Sequence, residues 1–197
     1  MRGTLRRIKL AATTVVAKLT LRLEGVIYGD DLTVHGVPIV SRADKSRIVL
    51  GARVVLVSDS HYTALGVNHP VVLRTLRPGA TLVIGDDVGI SGGAICAASS
   101  ITIGSRCLLG ANVTIADTDF HSLEVENRRY NDSPERVASA PVAIGENVFI
   151  GMNSIVLKGV TIGRNSVIGG GSVVTQNIPP DSVAAGVPCR VVGGIHE

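Results

Sequence analysis

From residue 144 onward an aliphatic side chain returns at every sixth position: Ile144, Ile150, Val156, Ile162, Ile168 and Val174. Gly follows four of the six, and the fifth place of the hexads is Val148, Ser154, Val160, Ser166 or Ser172. A period of six fits neither a helix of 3.6 residues per turn nor a plain alternating strand. It is the period of a hexapeptide β-helix. Three hexads close one triangular coil, and each supplies a short strand and a corner. The aliphatic residue faces inward, and the Gly after it lets the backbone turn where a Cβ would clash.

The frame extends upstream. Ile84, Ile90 and Cys96 are six apart; one extra residue intervenes, and Ile103, Leu109 and Ile115 resume the count. Leu50-Gly51 and Leu56 form an earlier, weaker pair. Residues 26–80 otherwise read as irregular early coils, with turn signals at Tyr28-Gly29-Asp30 and Gly36-Val37-Pro38. Composition agrees: 45% of the residues are hydrophobic but only 3% aromatic, with no Trp. The core must come from Ile, Val, Leu and Ala stacked in rows. The 23 glycines follow no Gly-X-Y repeat, which excludes collagen. The fold class is therefore all-β, a parallel β-helix with an N-terminal extension and a C-terminal cap.

Two breaks in the frame are informative. Residues 122–141 (SLEVENRRYNDSPERVASAP) are charged and aperiodic and read as a protruding loop. Residues 178–197 carry Pro179, Pro180 and Pro188, which are expected not to continue a coil, so this segment reads as a cap folded over the end. The main domain then spans 26–197. Residues 1–25 are a basic extension with six basic residues against one acidic. They suit a helix with Leu5, Ile8, Val15, Leu19 and Leu23 on one side. Such a helix either caps the first coils or a neighbouring subunit, or lays an Arg/Lys face on anionic lipid as a peripheral membrane contact.

The net charge of +3 resides in that extension, so no basic stripe on the folded body argues for nucleic acid. Three cysteines without metal-like spacing point to a reducing compartment. The first 23 residues faintly imitate a signal peptide, but Lys18 and Arg22 stand where a small-residue cleavage site belongs. The expected location is the cytoplasm, with the inner face of the membrane available to the extension.

Of five histidines, His35, His61, His69, His121 and His196, only His121 sits where a regular coil gives way to the long loop. A flat solenoid face offers no pocket, so a ligand site needs a loop or a neighbouring subunit. A neutral imidazole there suits a general base at pH 7. An acceptor on its other nitrogen would orient it. Asp119 is preferred, because in extended geometry it points to the same side as His121; Asp117 and a backbone carbonyl remain alternatives.

The stretch PVAIGENVFIGMNSIVLKGVTIGRNSVIGGGSVVTQNIPPDSVAAGVPCRVV, from Pro141 to Val192, together with GANVTIADTDFH, from Gly110 to His121, resembles the hexapeptide-repeat acyltransferases. The resemblance is to the branch of maltose, galactoside and polysaccharide O-acetyltransferases. It implies a left-handed β-helix, a homotrimer with sites between subunits, acetyl-CoA as co-substrate with no resident cofactor or metal, and a sugar or glycan acceptor. It places the catalytic histidine at His121. For the donor it points to Gly151, Met152, Gly169, Gly170, Thr175, Gln176 and Arg190. Relatives often carry Lys where this chain has Gln176, and the small-sugar enzymes carry Trp where it has Phe149. They also carry Asn and acidic residues where this chain has ISGGAICAA, in which only Ser91 offers a side-chain hydrogen bond. The acceptor pocket is therefore not expected to be that of a maltose or galactoside enzyme. The segment HPVVLRTLRPGATLVIGDDVGISGG is similar to enzymes that decorate lipopolysaccharide, capsule or exopolysaccharide intermediates, which implies an acceptor among cell-surface polysaccharides or their precursors.

Other classes fit less well. A zinc enzyme on this architecture would need three converging histidines, and His121 has none near it in sequence. A serine or amino-sugar acyltransferase, and a non-catalytic β-helix scaffold, stay open as alternatives.

Overall fold

The computed structural model describes residues 2–130 and 133–195, with side chains from Thr13 onward. His196, Asn131, Asp132 and the side chains of Leu5 and Ile8 lie outside the described residues. A helix, α1 (Arg2–Leu23), is followed by six coils. The first holds β1 (Ile27–Tyr28), β2 (Thr33–His35) and β3 (Ile39–Ser41); the second β4 (Arg47–Leu50), β5 (Val55–Val57) and β6 (Val72–Thr75). The third holds β7 (Thr81–Ile84), β8 (Gly89–Ser91) and β9 (Ala94–Ala97); the fourth β10 (Ser100–Ile103), β11 (Leu108–Leu109) and β12 (Thr114–Ala116). The fifth holds β13 (Val142–Ile144), β14 (Phe149–Ile150) and β15 (Ile155–Val156); the sixth β16 (Thr161–Ile162), β17 (Val167–Ile168) and β18 (Val173–Val174). The cap contributes β19 (Ser182–Ala185) and β20 (Arg190–Gly194).

The first, second and third strands of the coils stack into three sheets, here faces A, B and C, parallel throughout the coils. Register lines up one inward row per face. On A it runs Tyr28, Leu50, Ile84, Ile103, Ile144, Ile162. On B it runs Val34, Leu56, Ile90, Leu109, Ile150, Ile168, and on C Val40, Leu73, Ile95, Ile115, Val156, Val174. All but Tyr28 are buried. Each fully buried Ile or Leu contributes roughly 1.5–3 kcal/mol.

These rows correct three expectations. The first coil is regular: Tyr28, Val34 and Val40 keep the six-residue count, as do Leu50 and Leu56 of the second before the insertion between β5 and β6. Cys96 does not face inward; Ile95 does, and Cys96 is only half-buried. The corner through Gly92 (φ +54°) and Gly93 is one residue short, and in a pleat of period two a slip of one exchanges inside for outside. The prolines of the cap do not stop the coil at once. Ile178 bridges Ile162 on face A, and β19 continues face B in parallel before β20 turns back antiparallel. Pro179 and Pro180 occupy the corner between, where no ladder N–H is needed.

The hexad glycines answer to the next coil. A Cβ on Gly145 would lie 2.6 Å from the backbone nitrogen of Arg164. The turn itself is made two residues later by Asp31, Arg53, Asp87, Arg106, Asn147, Asn165 and Asp181, one per A-to-B corner, all at φ between 56° and 61°. Asn and Asp accept this conformation most readily. The two arginines in the column are paired, Arg53 in two bonds to Asp87 and Arg106 with Glu146. The buried serines satisfy corner backbone: Ser154 and Ser172 Oγ both donate to the Gly169 carbonyl, at 3.1 and 2.5 Å.

α1 ends in Gly25 at φ +67°, with the Val26 amide bonded to the Leu21 carbonyl, a glycine C-cap. It docks on the first coil through Ala17 and Leu21, both fully buried. Val15, Leu19 and Leu23, expected on one side of the helix, face outward. The insertions that interrupt the hexads gather at the C-to-A edge, as residues 42–46, 76–80, 98–99 and 117–141. The exception is the stretch between β5 and β6.

Gly145→Ala should destabilise the protein by about 1–3 kcal/mol or more, because two coils must part. Gly171→Ala has open space and meets only the left-handed backbone penalty of about 1 kcal/mol. Urea unfolding of both checks this; equal losses would remove the close approach of coils as the reason for the hexad glycine.

Candidate active site

The long loop leaves β12 on face C and returns to β13 on face A, so its base sits on the C-to-A edge. Its first residue anchors it. Asp117 is fully buried, and its two carboxylate oxygens accept from the amides of Ala98 (2.6 Å) and Ser99 (2.8 Å). The Ala140 amide donates to the Asp117 carbonyl, and the Asp119 amide to the Ala138 carbonyl, closing the two ends of the loop together. Arg77 ties the far side, donating to the Val137 carbonyl at 2.8 Å and the Ser139 hydroxyl at 3.1 Å. Asp117 is thus committed to structure.

Phe120 adopts φ +62°, a conformation a bulky side chain takes only under constraint. The segment is therefore not extended, and the alternation that would put Asp119 and His121 on one side does not apply. The Asp119 carboxylate turns to Lys158, with Oδ1 and Nζ 2.5 Å apart. Its Oδ2 is buried and has no hydrogen-bond partner among the described residues. Lys158 follows β15, so this ion pair pins the loop base to the fifth coil. His121 is exposed, with its amide donating to the Asp119 carbonyl at 2.8 Å, and its ring borders a pocket of about 460 Å³ with Arg128 and Arg129. Neither arginine nor Lys158 stood out from the sequence; the only cue was an Arg pair seven residues after the histidine.

The other described histidines have different surroundings. His61 Nδ1 lies 2.7 Å from Asp59 Oδ1, yet the ring is on the surface of the loop after β5. His69 Nδ1 lies 2.7 Å from the Pro70 carbonyl oxygen. His35 stacks on Tyr62 at 4.4 Å, and burial lowers its pKa against the opposing pull of Asp59. Among the described residues no cluster of three or more His, Cys, Asp and Glu could hold a metal ion.

The residues expected to hold the donor fall on two edges. Gly151, Met152, Gly169 and Gly170 stack at the B-to-C corner of the fifth and sixth coils, where Gly171 donates to the Met152 carbonyl at 2.8 Å. A Cβ on Gly151 would meet the Gly170 nitrogen at 2.4 Å. Arg190 joins this side: it pairs in register with Ala185, whose Cβ lies against Gly169. Its Nη1 donates to the Cys189 carbonyl at 2.8 Å, and the side chain is exposed. Ser91 ends β8 at the same corner two coils before Gly151. Thr175 and Gln176 lie past β18 on the C-to-A edge, one coil beyond Lys158, because Leu157 donates to the Val174 carbonyl. Within one protomer, then, His121, Thr175 and Gln176 are on one edge of face C, and Ser91, Met152 and Arg190 are on the other.

Residues 81–116 and 141–176, which are coils three and four and coils five and six, match the family model described as the hexapeptide repeat of succinyl-transferase. These four coils are similar to hexapeptide repeats. The chain is 47% identical over 98 residues to a galactoside O-acetyltransferase of Escherichia coli, covering 50% of this chain and 46% of that one. It therefore spans about half the length of that relative. A solved galactoside acetyltransferase in complex with coenzyme A superposes with a TM-score of 0.53 at 29% identity, covering 86% of this chain and 65% of the other. An N-acyltransferase from Bacillus cereus shares the fold at a TM-score of 0.66 and 15% identity, covering 91% and 90%. The recognised likeness is to hexapeptide-repeat acetyltransferases, and the coils form their left-handed parallel β-helix.

Lys158→Met should strand the Asp119 carboxylate and cost about 2–3 kcal/mol, below the ~3–5 kcal/mol of a fully dry pair because both groups keep some exposure. Adding Asp119→Asn should recover part of that loss. A double-mutant cycle in urea reads the coupling, and additive losses would mean the pair does not hold the loop.

Proposed function

We propose that this protein transfers an acetyl group from acetyl-CoA to a hydroxyl of a sugar, of the class found in cell-surface polysaccharides or their precursors. The observation that carries the reading is His121 at the mouth of a pocket, beside a constrained Phe120, on a chain similar to galactoside O-acetyltransferases. The neutral imidazole accepts the hydroxyl proton as the oxygen attacks the thioester carbonyl. The bond to sulfur then breaks, and the imidazolium returns the proton to the departing CoA thiolate. Asp119 sets the loop that carries His121. Glycines at positions 151, 169 and 170 leave room for the pantetheine arm, and Arg190 meets a phosphate of CoA.

The division of these residues between two edges of face C supports a site built by two protomers. A hexad strand and corner separate the edges by roughly 15 Å, too far for one imidazole to reach a thioester on the other side. A closed homotrimer gives every protomer the same two half-sites. Acetyl-CoA as donor and three free cysteines support a cytoplasmic location. Among the described residues no helix is long and apolar enough to cross a membrane. Exposed Val15, Val16, Leu19 and Leu23 beside Lys18 and Arg22 support a peripheral contact of α1 with an anionic bilayer.

His121→Ala should lower kcat by roughly 10²–10⁴-fold, with little change in the KM for acetyl-CoA. Thiol release from acetyl-CoA in the presence of sugar acceptors measures both. Near-full turnover in the mutant would remove the assigned base. Arg190→Ala should raise the KM for acetyl-CoA and change kcat less, as expected of binding energy far from the reacting carbon; an unchanged KM would mean that the cap does not hold the nucleotide end.

A further inference from the structure

The cations of the long loop are unequally matched. Arg136 pairs with Glu124 at 3.1 Å, and outside the loop Arg106 pairs with Glu146 at 3.0 Å. Arg128 and Arg129, which wall the pocket at His121, meet no carboxylate among the described residues. Arg128 is nevertheless held in place. Its Nε donates to the Glu124 carbonyl at 3.1 Å and its Nη2 to the Leu123 carbonyl at 3.0 Å. These two bonds fix the guanidinium plane and leave its Nη1 edge without a partner among the described residues. Arg129 lies over the Tyr130 ring at 5.6 Å, which restrains it without neutralising it.

Two adjacent guanidinium groups around one pocket repel each other until an anion enters. Their forked donors match the oxygens of a phosphate or carboxylate. A pocket of about 460 Å³ is of the size that takes a small ligand. We propose that the acceptor is an anionic sugar, whose phosphate ester or carboxylate is held by Arg128 and Arg129 while a hydroxyl of the same sugar lies at His121. This rests on the acetyl-transfer reading above and adds the charge of the substrate to it. It gives the long loop a selecting task distinct from the proton transfer.

The test uses the full chain and matched acceptors: methyl glucoside, glucose 1-phosphate, UDP-glucose and glucuronate, each with acetyl-CoA. The expected result is that one or more anionic sugars are acetylated at a kcat/KM at least about tenfold above the neutral glycoside. The phosphate and carboxylate arms show which oxyanion is preferred. Arg129→Gln and Arg128→Gln should each raise the KM for the anionic acceptor by about tenfold and weaken its salt dependence, while the KM for acetyl-CoA stays put. Arg129→Lys should recover part of the loss. Calorimetric binding of glucose 1-phosphate and glucuronate to the wild type and both Gln variants needs no turnover, so it still decides the matter if acetyl transfer fails. Equal use of neutral and anionic sugars, binding that the Gln variants do not weaken, or a rise in the KM for acetyl-CoA alone would overturn the proposal; the last would make the two arginines donor ligands.

Discussion

Everything in this molecule depends on coils stacking at the spacing of a hydrogen-bonded strand. Each coil offers its backbone to the next along three faces, and that distance leaves no room for a Cβ after the inward aliphatic residue at most A-to-B corners. Gly51, Gly85, Gly104, Gly145 and Gly163 stand there, and a methyl group on any of them would fall within 3 Å of the neighbouring coil. The inward rows follow from the same spacing. Side chains stacked one strand apart must be similar in size and branched, so a chain with almost no aromatic residues still forms a continuous core.

Such a stack supplies regularity but little concavity, and chemistry therefore moves to the edges. The C-to-A edge receives most of the extra chain, and each insertion leans on a later coil or loop: Ser46 on Thr75, Arg77 on Val137 and Ser139, Ala98 and Ser99 on Asp117. The long loop inherits a rigid footing from these contacts. Two carboxylates in it share a sequence neighbourhood and have different tasks. Asp117 closes the corner by accepting two amides, and Asp119 is drawn to the lysine of the following coil. That division of labour anchors the chain on the N-terminal side of His121, which stands at the pocket.

How much of this was legible in the sequence varied with the range of the interaction. The six-residue period from Ile144 to Val174 reports a purely local rule, inward residue then corner, so the fold could be read directly. The first coil obeys the same rule at Tyr28, Val34 and Val40. There, though, the stretches 42–46 and 58–71 break the count before the eye can join it to Leu50 and Leu73. The choice between Ile95 and Cys96 turned on a corner shortened by one residue, which no count of sixes contains. Which face of α1 packs was not legible, because its partner surface exists only once the coils have formed. In the site, His121 was legible from its place at the end of a coil. The pairing of Asp119 with Lys158 was not, because the two residues are 39 apart and meet only through the stacking of the fourth coil on the fifth.

The position of the long loop also bears on how the chain folds. Successive coils five and six bring residues 18 apart into register, as Ile144 and Ile162 show. Coils four and five must bring together residues 41 apart, Ile103 and Ile144. By loop-closure entropy alone that junction costs roughly 0.7 kcal/mol more than its neighbour. A stack of nearest-neighbour units can nucleate at several places and grow along its axis. The C-terminal pair of coils and the coils before the loop can thus each zip separately, leaving this junction to close late. His121 and Lys158 stand on opposite sides of that seam. The edge that carries the pocket is therefore completed only when this junction closes, and a chain with the junction open has the loop base without its anchor on the fifth coil.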